Sequence, residues 1–465
     1  MPKFPRLIAA FVPFALFAGC VSYQPMPLDR DAELAALRAT ALDGLVVEHA
    51  RPGEGQGAAA TRIDPTDGLD DDELVAVALT LNPALKAKRL STGDAQARLI
   101  EAGLWPNPVV GGSWRPGIGS ASGHAVDADL LVDLLQPWQR SARIDAATAR
   151  AGEVAADVVA DEWRLVRDVR LRRLDVVAAE QSLALFDEET ALRERVRDLT
   201  VRQRAAGEGT ELSVSAAELD LAELRRDRMR AESDLQTARR ALNEILGLPP
   251  GYALRLTASG KPLVVTVFDG LSDDELERRL VAGRFELRAL EAAYAAAEQD
   301  LRLAVQRQFP DLKIGLTYSR DSDGSKYLGP GAELEIPLFD RNQGGIAAAL
   351  SARDRARAEF VATLFRLRAE AYEARAQLER ARLEVELQEK DVLPLVRRNE
   401  ALVEQGLSAH EVNVLDRVAS QERALRARQA YLESVVRYQR NVVEVETATG
   451  TALARPAVVS VPKQQ

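Results

Sequence analysis

A chain of 465 residues, 46% hydrophobic and 28% charged, has the apolar content for a large buried core and does not read as a disordered polymer. Its formal net charge of −10, with Lys and Arg interleaved among Asp and Glu and no basic run, argues against a nucleic-acid partner, which needs clustered cations to displace counterions from phosphates. One cysteine and three histidines exclude an intramolecular disulfide and leave no spaced metal-ligand set.

The first 20 residues, MPKFPRLIAAFVPFALFAGC, place Lys3 and Arg6 before an apolar stretch from Leu7 to Ala18 and end on small residues at Cys20. This is the layout of a secretory signal, and the stretch is shorter than the roughly 20 apolar residues that span a bilayer. Ala18-Gly19-Cys20 resembles a bacterial lipobox, with Phe17 where leucine is usual. Residues 1–19 are therefore expected to be a lipoprotein signal peptide and Cys20 a lipidated amino terminus. Val21, rather than aspartate, is similar to lipoproteins sorted to the outer membrane. Residues 20–68, with RPGEGQGAAA at 51–60, read as a tether.

From Leu69 the chain divides into two similar halves, 69–250 and 271–450, joined by a linker at 251–270 and followed by a tail at 451–465. DDEL at 71–74 returns at 273–276, IDAA at 144–147 returns as IAAA at 346–349, and Gly207 is echoed by Gly406. A spacing of about 200 residues fits a duplicated domain and not a short solenoid repeat. In each half a helical segment (73–104; 274–308) leads to an aromatic-proline interruption and then to a very long helix (about 141–204; 345–405). A glycine turn and a further helix (211–246; 409–449) complete it. No proline occurs between Trp138 and Leu248, whereas Pro394 predicts a bend in the second half. Two apolar seams run along the long helix, Val169, Val176 and Leu183, then Leu171, Ala178, Leu185, Leu192 and Leu199. They lie roughly 200° apart, which lets a helix pack on neighbours at both sides as in a closed cylinder.

The interruptions read as β-hairpins, at about 106–138 and 310–340. Leu312, Ile314, Leu316 and Tyr318 alternate with Asp311, Lys313, Gly315 and Thr317, which makes one apolar and one polar face. SRDSDGSKYLGPG is expected as a loop, with GAELEIPLF at 331–339 as the returning strand. Trp105, Trp114 and Trp138 sit in or beside the first hairpin, and Phe309, Tyr318, Tyr327 and Phe339 in or beside the second. Aromatic residues at strand ends mark outer-membrane barrels. Four strands alone would leave unpaired edges in lipid, so closure must come from other copies of the chain.

ALTLNPALKA at 78–87, GLWPNP at 103–108, the duplicated plan and VNVLD at 412–416 resemble the TolC family of outer-membrane efflux channels, closest to its CzcC/CusC-like lipoprotein branch. RFELRA in the second half departs from the NPALKA pattern. The resemblance implies a mainly α fold with a small membrane β part. A homotrimer would contribute four strands per protomer to a shared 12-stranded barrel, continued by a long periplasmic α-helical barrel. It further implies a periplasmic tip at 205–211 and 405–411, with Gly207, Gly209, Gly406, Leu407 and Ser408 docking a periplasmic adaptor protein coupled to an inner-membrane pump of the RND type. In the family, acidic residues of a VDVLD-like stretch narrow the periplasmic entrance. Asp416 matches the second of these and Asn413 stands in place of the first, so a single charged ring is implied, with a solvated helix residue as the alternative for Asp416.

No phosphate-binding loop, GxSxG motif or paired Cys or His points to an enzyme, a cofactor or a metal site, and His49, His124 and His410 lie far apart. The expected function is an outer-membrane channel of a tripartite efflux system, lipid-anchored at its N-terminus. The alternative is a periplasmic adaptor lipoprotein, which also has an anchor and a long helical hairpin. A third candidate is a structural envelope coiled coil.

Overall fold

The computed structural model describes residues 22–42, 44–49, 59–118, 123–133, 136–257, 271–310, 312–409, 411–412 and 414–451. Two compact units divide it at Ala41–Leu42. In the first, Asp29 caps helix α1 (Arg30–Ala39) by accepting from Asp31 and Ala32 backbone N–H groups. The second unit holds everything else.

In that second unit a two-stranded ribbon, β1 (Val46–His49) and β2 (Ala59–Arg62), precedes the duplicated body. The segment expected as a mere tether thus carries structure, because Leu42 and Ile63 find apolar cover: they are 0% and 2% exposed, in one core with Leu69, Leu74 and Val176.

The first half runs α2 (Asp71–Leu81), α3 (Pro83–Gly103), β3 (Val109–Pro116), β4 (His124–Asp133), α4 (Gln136–Ala205) and α5 (Glu211–Leu246). The second runs α6 (Asp273–Gly283), α7 (Phe285–Gln306), β5 (Leu312–Arg320), β6 (Lys326–Leu334), α8 (Gln343–Leu387), α9 (Leu393–Ser408) and α10 (Val414–Thr449). At about 1.5 Å per residue, the 70 residues of α4 extend on the order of 105 Å. Its first seam is the buried one, with Val169 and Val176 at 1% and 2% exposure, and the equivalent Ala371 and Val385 of α8 are buried likewise.

Equivalent contacts recur 202 residues apart. Asp71 pairs with Arg173 at 2.6 Å and Asp273 with Arg375 at 2.6 Å. Each expected first helix is broken, at Asn82 and at Arg284, both with non-helical backbone. Pro83 explains the first break, since proline disfavours helical geometry in the residue before it and begins a helix well. The Asn82 side chain accepts from Leu85 N–H and donates through Nδ2 to the Ile245 carbonyl at 2.8 Å. No proline follows Arg284, yet its Nη1 donates to the Thr447 carbonyl at 3.0 Å. The departure RFELRA therefore keeps the brace by a longer side chain.

Glycines end three of the long elements. Gly207, Gly247 and Gly450 have φ of 81°, 75° and 65°, and at each the next residue's N–H reaches back across the last helical turn, as in the Schellman motif. Gly406 differs from the turn expected of it: it lies inside α9, and its carbonyl accepts from Glu411 and Val412 N–H. The bend expected at Pro394 takes the form of a π-helical segment at Gln388–Val392, which relieves the proline ring's conflict with the preceding turn.

Candidate channel wall

The strands form one antiparallel sheet in the order β3-β4-β5-β6, leaving β3 and β6 as edges. Its hairpins are tighter than expected. Tyr327 to Gly331, placed in a loop from sequence, belong to β6, which ends at Leu334 instead of reaching Phe339. Likewise β4 ends at Asp133, and the QPW of 136–138 starts α4.

Register sorts the side chains into two faces. Val110, Leu130, Leu316 and Pro330 align across the four strands, and so do Trp114 with Val126 and Tyr318 with Leu328. This face is apolar and open, with Val110, Leu316 and Leu328 at 76%, 56% and 74% exposure. The opposite face carries Ser113, Arg115, Asp127, Asp129, Lys313, Thr317, Ser319 and Glu333. There the Asp127 carboxylate accepts from Ser113 Oγ at 2.8 Å, Arg115 Nη2 at 2.7 Å and Ser319 Oγ at 2.8 Å, tying β3, β4 and β5 together. Lys313 Nζ donates to Glu333 at 2.9 Å and adds β6.

Three glycines leave no room for a side chain on the polar face. A Cβ at Gly315 would overlap the Leu130 carbonyl, one at Gly331 the Thr317 hydroxyl, and one at Gly111 the Asp129 carboxylate. All three glycines lie on the polar side, where side chains and backbone of the neighbouring strands come close. The sheet thus carries one apolar and one polar face.

The aromatic residues fall in three settings. Trp114 and Tyr318 stand on the apolar face. Trp105, Phe309 and Phe339 flank the strands, 65%, 64% and 94% exposed, and the Arg140 guanidinium lies 5.8 Å from the Trp105 ring centre. Tyr327 corrects the expectation of a girdle position: it pairs with Ser319 and so belongs to the polar face, because the strand begins earlier than the sequence suggested. The Trp138 side chain lies outside the described residues.

At the other end of α4, Gly207 turns the chain and Gly209 lies against Arg204 backbone, with Thr210 capping α5. Leu407 is half-buried at the end of α9, and Asp416 is exposed in the first turn of α10. Asn413, Cys20, His410 and the Ser408 side chain lie outside the described residues. Between tip and sheet, Arg428 of α10 bridges Glu189 of α4 at 3.2 Å and Glu400 of α9 at 3.1 Å. Glu189 is 2% exposed, and burial pushes its carboxyl above the ordinary range although Arg428 and Arg193 pull the other way. Sequence reasoning missed Asp127 and Glu189. The alternation of Asp127, Asp129 and Asp133 with Val126, Ala128, Leu130 and Val132 was a readable signal for the first; nothing local marks the second.

Among the described residues no cluster of three or more His, Cys, Asp or Glu side chains could hold a metal ion, and no helix is long and apolar enough to cross a membrane. No family model matches the chain. It is 26% identical over 369 residues to the cobalt-zinc-cadmium resistance protein CzcC of Cupriavidus metallidurans, a match covering 77% of this chain and 84% of that protein. Similar solved structures include a membrane protein from Pseudomonas aeruginosa, with TM-score 0.69 and 21% identity over 86% of this chain and 99% of that one. CusC matches with TM-score 0.68 and 18% identity over 88% and 100% of the two chains. The Campylobacter jejuni CmeC outer membrane channel matches with TM-score 0.69 and 15% identity over 93% and 94%. The chain has the fold of the TolC-family outer-membrane efflux channels. These structural neighbours are trimeric channels that join a β-barrel to a helical barrel. The adaptor alternative finds no support among these similar proteins.

Proposed function

We propose that three copies of this chain form the outer-membrane channel of a tripartite efflux assembly, carrying divalent metal ions from the periplasm or an inner-membrane pump to the exterior. The carrying observation is the sheet itself: one apolar face, one polar face and two unpaired edges. Unpaired backbone groups in lipid cost several kcal/mol each, so such a sheet is stable there only when strands of other copies complete the ring. Three sets of four strands make a 12-stranded barrel.

The remaining assignments follow from this reading. Cys20 carries the lipid anchor, and Trp105, Trp114, Trp138, Phe309, Tyr318 and Phe339 meet the membrane interfaces. Gly207, Gly209, Gly406, Leu407 and Ser408 form the tip that docks an adaptor tied to an RND-type pump. Asp416 supplies one charged ring near the narrow end, with Asn413 uncharged beside it. The metal-resistance relative motivates the cargo. The polar wall offers passage without a binding pocket, which leaves substrate choice to the pump.

Planar-bilayer recording of the purified protein tests the channel. Discrete cation-selective conductance is expected, reduced in selectivity by Asp416→Ala and increased by Asn413→Asp. Absence of conductance from a membrane-inserted trimer sinks the channel reading, and unchanged selectivity in both variants removes Asp416 from the constriction. Cells lacking the protein should retain more zinc, cobalt and cadmium; unchanged metal content with the pump present overturns the cargo assignment.

A further inference from the structure

Within the chain, α7 lies antiparallel along α4. Trp163 stacks on Phe285 with ring centres 6.1 Å apart, Arg302 pairs with Asp145 at 3.9 Å, and Arg150 pairs with Asp300. The stripe that α7 turns to α4 is Phe285, Ala289, Ala292, Ala296, Asp300 and Leu303, and every one of these is buried or half-buried.

The equivalent stripe on α3, 202 residues earlier, is Pro83, Ala87, Leu90, Asp94, Arg98 and Glu101. All six are exposed. The long helices show the same asymmetry: Ala156, Ala160 and Trp163 of α4 are covered, whereas their equivalents Ala358, Ala362 and Phe365 of α8 are open, Phe365 at 74%. The duplicated chain therefore closes one of its two equivalent helix pairs and leaves both partners of the other uncovered. The two open stripes match in charge as well as in apolar character. Along α8, Asp354 precedes Arg357; along α3, Asp94 precedes Arg98, so an antiparallel approach sets opposite charges against each other twice. Among the described residues Asp94, Arg98 and Arg357 make no ion pair, and Asp354 accepts from its neighbour Arg353 at 3.1 Å.

We propose that α8 of each copy packs on α3 of the next copy as α4 packs on α7 within a chain, with Phe365 over Pro83, Ala362 on Ala87, and the ion pairs Asp354–Arg98 and Arg357–Asp94 across the seam. The proposal rests on the reading that copies of this chain close the wall together. It gives that assembly a residue-level register, and makes the seam between copies a repeat of the seam within each.

Two measurements test it on the full-length protein in detergent. Ala362→Cys with Ala87→Cys in one chain should give disulfide-linked dimers and trimers on oxidation, absent from the two single variants, which retain Cys20. Arg98→Asp should lower the trimer fraction by about ten-fold at fixed concentration, and adding Asp354→Arg should restore it to within about three-fold. Native mass measured on the same samples separates the two layers of the argument. Trimer mass without the double-cysteine ladder, or without rescue by the second charge reversal, overturns this register while leaving the trimer intact. Monomer mass for the unaltered protein overturns both.

Discussion

Leu316 and Thr317 are consecutive residues at the middle of the nine-residue strand β5, and they point to opposite sides of the sheet. Leu316 is 56% exposed on the apolar face, between Leu130 and Pro330. If that face meets lipid, Leu316→Arg places a guanidinium near the bilayer midplane, at about 2–4 kcal/mol per copy. Three copies in one closed barrel would lose roughly 6–12 kcal/mol, and every 1.4 kcal/mol is ten-fold, so the assembled fraction should fall by about four orders of magnitude or more. Thr317→Arg introduces the same charge at the same depth, but over Gly331 and opposite Asp129 on the polar face. Its side chain has water and a carboxylate to meet, and a cost under about 1 kcal/mol is expected. Outer-membrane fractions resolved on unheated denaturing gels would give the readout: a trimer band for the unaltered chain and Thr317→Arg, none for Leu316→Arg. Equal trimer yields for the two variants, or the reverse order, would refute the assignment of faces.

Gly207→Ala should cost only the left-handed backbone penalty of about 1–2 kcal/mol, since nothing lies within 4 Å of its added Cβ. Gly247→Ala meets the Leu81 backbone as well, 2.6 Å from the carbonyl oxygen, and should cost about 2–5 kcal/mol; denaturation midpoints compare the two. Arg284→Ala should destabilise by about 1–3 kcal/mol through the lost bond to the Thr447 carbonyl, and Arg284→Asn should lose less if asparagine serves there as Asn82 does; chemical denaturation followed by circular dichroism measures both. Glu189 titrates above its ordinary 4.5 in the folded protein, so the native state holds its proton more tightly than the unfolded chain. The associated stability is complete below pH 4.5 and is lost as pH rises through the folded value. Glu189→Gln should flatten that part of the stability profile, and an unchanged slope would place the dependence elsewhere.

Local pattern was enough to read the duplication, the two hairpins, the glycine turns and the long helices. Each of these is recorded within a few turns or strand residues: a proline-free stretch after Trp138, a period-two alternation from Leu312 to Tyr318, a glycine where the chain must turn left-handed. Family character was legible as well, since ALTLNPALKA, GLWPNP and VNVLD are contiguous. Tertiary structure decided what depends on a distant partner. Leu42 and Ile63 look like parts of a tether until helices of the body cover them. Arg284 looks like a broken motif until Thr447, 163 residues away, accepts its hydrogen bond. Tyr327 changes face because strand ends are set by pairing with Ser319 and not by the composition of the loop. Alternation marks the face of Asp127 but not its partner Ser319 on another hairpin, and Glu189 carries no local mark, because its surroundings come from Arg428 on another helix. Periodicity in a sequence states which side of an element avoids water. Only packing states which segment covers that side, and in this chain it leaves one face of the sheet and one flank of each half for other molecules to cover.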